Sequence, residues 1–446
     1  MGLTSRSLLY TVAFVAIVCV GLTIWLWPRL AGRGPLPVLG RLGAILVTQL
    51  TIMSTVLLAV NSANSFFGTW GELIGRYDRS QGQVTQGAAE AGGNARVDAG
   101  KGGLVRPAGS EGLDRAALPK GPRDRVGALE SVRLVARRAN VIEPAFVYLP
   151  PQYFQKQYER ARFPVIVAIS GYPGGINNLS QYLQVPKTAS TLISERRMQP
   201  TIVVMVRPTI APPRDTECVD VPDGPQAETY FTKDLPEALR SAYRVGHEAS
   251  AWGVMGYSSG GTCALELAMR QPGIYPVAGA LSADYKIKND LTTGKLFGDD
   301  EAGRKRQREH DLIWRLKNLP VPHVSVLVTS SEKGEKNYEE TKKFLAAVKE
   351  PMTAAKIILP SGSHNFTTWR REISPTLEWM GKQLTFPQDT ADKQKPGDKR
   401  REEEKKKEEQ RKEEEKKRAE EEKKKSAEDG ASKDEAEQDG DQPSGE

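Results

Sequence analysis

One short segment in the second half of the chain indicates serine chemistry. Residues 256–260 (Gly-Tyr-Ser-Ser-Gly) follow the apolar run 252–255 and precede a stretch of helical pattern. A glycine-flanked serine between a strand and a helix is the nucleophile-elbow arrangement, because small neighbours permit a strained turn and the helix N-terminus faces a developing negative charge. The pattern predicts Ser258 as a nucleophile, with a chance glycine turn as the alternative.

A serine hydroxyl needs a base to remove its proton, and the chain has four histidines. His364 follows the apolar run 355–359 and precedes an amphipathic helix, which is where the base lies when the chain order is nucleophile, acid, histidine. His247 lies before the serine, His310 lies in a charged helical stretch, and His323 precedes a buried strand and suits a structural part. We therefore predict His364 as the general base.

The third member of such a triad is an acid at the end of the strand before the base. Residues 324–331 run directly into Glu-Lys-Gly-Glu, so Glu332 is the first choice and Glu335 the close alternative. Asp284, after the strand that ends near residue 281, is the third candidate. For each of them a solvated loop carboxylate is the competing interpretation.

Acyl transfer also needs backbone N–H donors for the oxyanion. One donor is the residue after the nucleophile, Ser259, and the other belongs to a loop after an earlier strand. The glycine-rich residues 170–175 follow the strand 164–169, so Gly171 or Tyr172 would supply the second N–H. A simple turn would explain these glycines equally well.

Short β-branched runs alternate with helical patterns across this region. Strands are predicted at 164–169, 201–206, 252–255, 277–281 and 324–329, and helices at 234–243, 262–270 and 339–348. Apolar strands separated by helices predict an α/β fold with a mostly parallel sheet covered on both faces. Such a sheet would bring the loops that carry the candidate residues to one edge.

The N-terminal part predicts a membrane anchor. Residues 8–27 and 42–60 are free of charged side chains and long enough to span a bilayer, and a cleaved signal peptide is the rival for the first. The segment between them carries Arg29, Arg33 and Arg41, against Arg6 before the first span. The positive-inside rule then places both termini and the large domain outside the cytoplasm, in a multi-pass membrane protein.

The composition divides the chain into a membrane anchor (1–70), a flexible Gly- and Ala-rich linker (71–124), the α/β domain (125–386) and a charged low-complexity tail (387–446). The tail mixes Lys, Arg and Glu with i,i+4 pairs such as Glu408 with Lys412 and has no apolar heptad seam, which predicts disorder or a single solvated helix. The positive charges form no basic stripe with aromatics, so nucleic acid is excluded as a partner.

Two of the three cysteines lie in the predicted external domain. Cys218 and Cys263 could form a disulfide in an oxidising compartment or remain as free buried thiols, and Cys19 lies in the first span. The spacing alone leaves both possibilities open.

Residues 145–384 resemble the esterase family that contains the esterase D proteins and the antigen-85 mycolyltransferases of actinobacteria. The likeness is carried by 146–153 (Phe-Val-Tyr-Leu-Pro-Pro-Gln-Tyr), by the elbow, and by 362–369 (Gly-Ser-His-Asn-Phe-Thr-Thr-Trp). It implies an α/β-hydrolase fold and ester hydrolysis or acyl transfer without metal or cofactor. Residues 215–220 and 262–264 resemble paired cysteine segments of envelope esterases in this group, which favours the Cys218–Cys263 disulfide.

These observations predict a serine carboxylesterase that acts on esters at the extracytoplasmic face, with a lipid or envelope glycolipid as one candidate substrate. A mycolyltransferase-like acyltransferase with the same acyl-enzyme is the first alternative, and a non-catalytic membrane-tethered binding or scaffolding protein is the second. The sequence leaves the oligomeric state open.

Overall fold

The computed structural model of the protein describes residues 6–32, 34–64, 103–109, 113, 118–287, 289–386 and positions 407–408, 410–412, 414–415 and 417–418. The chain divides into two units, Met1–Pro387 and Gln388–Glu446. In the second unit the described residues are helical, and Lys412 pairs with Glu408 at 3.0 Å, one of the predicted i,i+4 pairs. The other residues of the predicted tail, and most of the predicted linker, lie outside the described residues.

Two long apolar helices begin the chain, α1 (Arg6–Leu26) and α2 (Pro35–Asn64). Both are long and apolar enough to cross a membrane, with mean hydropathies of 2.3 and 2.0, although a signal sequence near the N-terminus would pass the same test. The second helix starts at Pro35 and not at residue 42 as predicted, because proline suits the first helical position. Arg41 therefore lies inside α2, where its guanidinium donates to the Gly32 carbonyl.

Polar side chains join the two apolar helices to each other. The hydroxyls of Thr23 in α1 and Thr48 in α2 form a hydrogen bond of 2.8 Å. Hydroxyl pairs of this kind hold helices together in an apolar surrounding. Thr48 of the second helix thus faces the first helix.

The α/β part is built on a sheet of nine strands formed by the described residues. In chain order they are β1 (Val105–Pro107), β2 (Ala128–Ala136), β3 (Val141–Leu149), β4 (Val165–Ile169), β5 (Ile202–Val206), β6 (Trp252–Tyr257), β7 (Val277–Leu281), β8 (Ser325–Ser331) and β9 (Thr353–Leu359). Their order across the sheet is β1-β2-β3-β5-β4-β6-β7-β8-β9, antiparallel as far as β5 and parallel from β5 to β9. The predicted mostly parallel α/β sheet is confirmed.

The antiparallel edge is the part of the sheet that the apolar runs did not predict. Glu130 and Arg133 interrupt the apolar pattern of β2, and Glu143 and Pro144 interrupt that of β3, whereas β4 to β7 are apolar and buried throughout. Strand β1 lies within the predicted linker, where its backbone pairs with β2.

Helices cover both faces of the sheet. They are α3 (Val185–Ser194), α4 (Leu235–Ala242), α5 (Ser259–Arg270), α6 (Glu301–Glu309), α7 (Leu312–Asn318), α8 (Tyr338–Ala347) and α9 (Phe366–Gln383). One core cluster joins α4, α5, α7 and α8 to the sheet, and a second joins α3 and α9 to its other face. In β4, Val165 and Val167 belong to the first cluster and Ile166 to the second, as the alternation of side chains along a strand requires.

The parallel strands position the candidate chemistry. The carboxyl ends of parallel strands meet at the same edge of a sheet. Ser258 follows β6, Ser282 follows β7, Glu335 lies in the loop after β8, and His364 lies in the loop after β9. Side chains from distant parts of the chain can therefore meet there.

Candidate active site

Ser258 lies on the sharp turn between β6 and α5. Its backbone has φ 56° and ψ −129°, a positive-φ conformation that non-glycine residues seldom adopt. The flanking glycines allow the strand and helix to approach, because a Cβ on Gly256 would lie 2.2 Å from the Gly260 carbonyl oxygen. A Cβ on Gly260 would lie 2.4 Å from the Ile169 carbonyl oxygen on the neighbouring strand. The spacing of small residues in the motif thus follows from backbone contacts.

The Ser258 hydroxyl contacts the imidazole of His364, a residue near the C-terminal end of the domain in sequence. Its Oγ lies 2.8 Å from Nε2 of His364. The loop that carries His364 leads into α9, where the Asn365 side chain caps the helix by accepting the Thr368 N–H at 3.1 Å. The ring of Trp369 in the first turn of α9 meets the His364 ring edge-on, with centroids 4.9 Å apart. Cap and ring contact together orient the imidazole toward the serine.

Glu335, and not Glu332, is the carboxylate beside the imidazole. Oε1 of Glu335 lies 3.9 Å from Nδ1 of His364, and the Glu335 side chain is fully buried. Glu332 is exposed, and its backbone N–H donates to the Leu359 carbonyl at 2.9 Å. The first choice for the acid is therefore corrected to its alternative, because the side chain of Glu332 points to solvent.

A turn at Gly334 explains why Glu335, and not the earlier Glu332, is the buried carboxylate. Gly334 has φ 96°, and a Cβ there would lie 2.3 Å from the carbonyl oxygen of Gly362 in the loop of the histidine. The N–H of Gly362 donates to the Lys333 carbonyl at 3.0 Å. The two loops are thus in direct backbone contact, and the residue after the turn enters the interior. The glycine in Glu-Lys-Gly-Glu is the sequence signal for this turn.

The groups around the His364 imidazole change its pKa. Partial desolvation by the protein lowers the pKa of His364 below its ordinary value of 6.5, while the charges of Glu335 and Asp284 oppose this effect. Asp284, the third candidate for the acid, is exposed and makes its backbone bond to the Thr262 hydroxyl. It acts on His364 through its charge alone.

The predicted oxyanion donors lie close to Ser258. A Cβ on Gly171 would lie 3.0 Å from Cβ of Ser258, so the glycine loop after β4 packs directly on Ser258. The N–H of the next residue, Tyr172, donates to the Ser259 hydroxyl at 2.7 Å. Ser259 is the first residue of α5, where backbone N–H groups have no partner within the helix. The three predicted residues thus surround one side of the serine.

A disulfide joins Cys218 to Cys263, with Cα atoms 5.5 Å apart across 45 positions of sequence. Cys263 lies in α5, the helix that begins directly after Ser258. The bond ties the segment after β5 to this helix. Cys19 in α1 is a free thiol.

Two polar residues that the sequence patterns did not single out also belong to this region. Ser282 contacts the carboxylate of Glu335, and Glu372 in α9 is fully buried nearby, accepting the Thr329 hydroxyl at 2.7 Å. Neither residue is part of a recognisable motif. A further histidine, His310, is buried, and its Nδ1 lies 3.0 Å from Oε2 of Glu266. This pair shares no hydrogen bond with Ser258 among the described residues.

Known proteins resemble this chain in both sequence and fold. A family model described as "Putative esterase" matches residues 143–413. An uncharacterised protein of Corynebacterium glutamicum is 25% identical over 251 residues, which cover 54% of this chain and 57% of that relative. The chain thus matches little more than half the length of this curated relative.

Among solved structures, a ferulic acid esterase aligns with this chain with a TM-score of 0.49 and 16% identity over 58% of this chain and 98% of that one. An S-formylglutathione hydrolase from Agrobacterium tumefaciens has a TM-score of 0.48 and 17% identity, over 60% of this chain and 98% of that one. Because the family match at residues 143–413 covers more than half of the chain, the protein belongs to the esterase family that this model describes.

Proposed function

We propose that the protein is a serine carboxylesterase in which Ser258 is the nucleophile, His364 the general base and Glu335 the acid. The observation that carries this proposal is the 2.8 Å contact between Ser258 Oγ and His364 Nε2, with a buried carboxylate on the other side of the ring. A serine and a base within hydrogen-bonding reach, with a third group behind the base, have the geometry of an activated nucleophile.

The reaction follows from these positions. Nε2 of His364 takes the proton of Ser258 as Oγ attacks the ester carbonyl, and Glu335 stabilises the imidazolium that forms. The backbone N–H group of Ser259 binds the oxyanion of the tetrahedral intermediate, and the Tyr172 N–H joins it when the Ser259 hydroxyl, to which it donates in the free enzyme, rotates away. The intermediate collapses to an acyl-enzyme, and the leaving alcohol receives the proton from Nε2. Water then attacks the acyl group by the same route and releases the carboxylic acid.

The proposal includes a location outside the cytoplasm, with α1 and α2 as membrane spans. Two observations support it. In the sequence, Arg29, Arg33 and Arg41 lie between the two predicted spans, which favours a cytoplasmic position for this segment. The Cys218–Cys263 disulfide suits an oxidising compartment. We infer that the enzyme hydrolyses esters that reach this face of the membrane, among them lipid or glycolipid esters.

A fluorophosphonate probe tests the nucleophile. We expect wild-type protein in membranes to be labelled and Ser258→Ala to lose all labelling. Ser190→Ala is a matched control, because it removes another buried hydroxyl, which lies in α3 and donates to the carbonyl of Val126. Absence of labelling in wild type under conditions where a known esterase reacts, or equal labelling of Ser258→Ala, would refute the catalytic proposal.

The products then identify the reaction. With an added glycerol or sugar acceptor, a carboxylesterase releases free acid alone, whereas transfer of the acyl group to the acceptor would overturn the hydrolase assignment in favour of acyl transfer.

Vesicles test the location. Protease added to right-side-out membrane vesicles should digest the esterase domain, and inverted vesicles should protect it. The reverse pattern would contradict the proposed orientation.

A further inference from the structure

Ser282 is a buried serine between the proposed acid and the tryptophan that contacts the base. It follows β7 and is 2% exposed. Its Oγ lies 2.9 Å from Nε1 of Trp369 and within hydrogen-bonding distance of Oε1 of Glu335. An indole N–H can only donate, so the Ser282 oxygen accepts from Trp369 and its own proton points to the carboxylate. The direction of both hydrogen bonds is therefore determined.

The backbone of Ser282 is held as firmly as its side chain. Its φ is +49°, a conformation that costs free energy in a serine and persists only when the surroundings enforce it. Its N–H donates to the Thr329 hydroxyl at 3.2 Å, and that hydroxyl donates to Glu372 at 2.7 Å. Trp369 and Glu372 lie three residues apart on α9, on one face of the helix. The last helix thus holds Ser282 from two positions.

Ser282 also accounts for how the Glu335 carboxylate is anchored. Oε1 of Glu335 is the oxygen that faces Nδ1 of His364, and it is the oxygen that accepts from Ser282. The other oxygen, Oε2, is buried and has no hydrogen-bond partner among the described residues. The hydroxyl of Ser282 is therefore the contact that decides which way the carboxylate turns.

We propose that Ser282 is a positioning residue for ester hydrolysis, which holds Oε1 of Glu335 toward His364 while Trp369 sets the direction of its hydroxyl. This inference rests on the proposed function. Without the hydroxyl, the buried carboxylate can turn away from Nδ1, and the imidazolium formed during catalysis loses part of its stabilisation.

The charged groups around the imidazole determine the expected pH dependence. Glu335 faces His364 from the loop after β8, and Asp284 acts on it from the loop after β7. Glu372 in α9 is the next buried carboxyl, and burial raises its pKa to about 8, so it is neutral at neutral pH. Loss of the Ser282 hydroxyl weakens the pairing of Glu335 with the imidazolium. The pKa of His364, and the acid limb of the rate profile with it, should then move to lower pH.

The test compares Ser282→Gly, Ser282→Ala and Trp369→Phe with wild type in the full-length protein, using a chromogenic short-chain ester. We expect kcat of Ser282→Gly and Ser282→Ala to fall about 10-fold, because a hydrogen bond to a charged group is lost, with KM within twofold of wild type. Trp369→Phe keeps an aromatic side chain and loses the indole N–H donor, while the Ser282 hydroxyl remains, so its kcat should fall less. Ser190→Ala should leave kcat and the pH profile unchanged.

Glycine keeps the experiment independent of folding, since it adopts φ +49° without strain. If Ser282→Gly keeps wild-type kcat and an unmoved acid limb, or changes KM alone, the inference is wrong. That result differs from failure of the proposed function, in which wild type itself neither reacts with the fluorophosphonate probe nor hydrolyses the ester.

Discussion

The Ser258 hydroxyl meets Nε2 of His364 at 2.8 Å although 106 positions of sequence separate the two residues. Both follow parallel strands, β6 and β9, and two further strands lie between them in the sheet. The loops after β8 and β9 close this distance by packing on each other through Gly334 and Gly362. The contact between Ser258 and His364 therefore depends on backbone contacts between these loops.

Replacement of the two candidate acids should have very different effects. Glu335→Gln keeps the shape of the buried side chain and removes its charge, so we expect kcat/KM to fall about 10³-fold or more, as when a triad acid is neutralised. Glu332→Gln changes an exposed side chain and should remain within twofold of wild type. Ester hydrolysis by the purified proteins checks this. Equal activity of the two variants would contradict the assignment of Glu335.

The rate should fall on the acid side at a pH below 6.5. His364 acts as a base only when neutral, and the acid limb of kcat/KM reports its pKa in the free enzyme. Desolvation lowers that pKa, and Asp284 opposes the shift. Asp284→Asn should therefore move the acid limb to still lower pH, while Glu332→Gln should not move it. A midpoint above 6.5 in wild type would contradict this assignment.

Gly171→Ala should disturb the oxyanion loop. The added Cβ would lie 3.0 Å from Cβ of Ser258 and 2.8 Å from Cε2 of Tyr257, so the loop must shift. Loss of one oxyanion donor costs roughly 10²-fold or more in kcat. We expect a fall of this size, with Ser258 still labelled slowly by fluorophosphonate. Gly273→Ala is the control, since a Cβ there meets no atom within 4 Å. Wild-type kcat in Gly171→Ala would count against the loop as donor.

Glu372→Gln should change how stability depends on pH. In the folded protein burial raises the pKa of Glu372 from 4.5 to about 8. Between these values the unfolded chain loses this proton and the folded protein retains it, so wild type loses stability as pH rises, by at most about 1.4 kcal/mol for each pH unit. The glutamine variant lacks this loss. Thermal unfolding of both proteins in detergent between pH 5 and 9 checks this. The stability of the glutamine variant relative to wild type should rise with pH up to about pH 8. A difference that is constant with pH would refute the prediction.

Local patterns in the sequence were enough to locate Ser258 and His364. The elbow is a local structure, since its glycines are required by contacts within a strand, a turn and the start of a helix. The apolar runs of β4 to β7 are buried on both faces, so their continuity predicted a parallel sheet without knowledge of its neighbours. Parallel strands then imply that the loops after them share one edge.

The choice between Glu332 and Glu335 was decided only in three dimensions. Both carboxylates lie in one loop after β8, and which of them turns inward depends on the packing of Gly334 against Gly362, a contact that the sequence does not encode locally. The role of Ser282 also depends on tertiary structure. Its hydroxyl has a fixed direction only because α9 brings Trp369 against the end of β7. Local sequence determined the positions of the proposed nucleophile and base, and tertiary packing determined the groups that contact them.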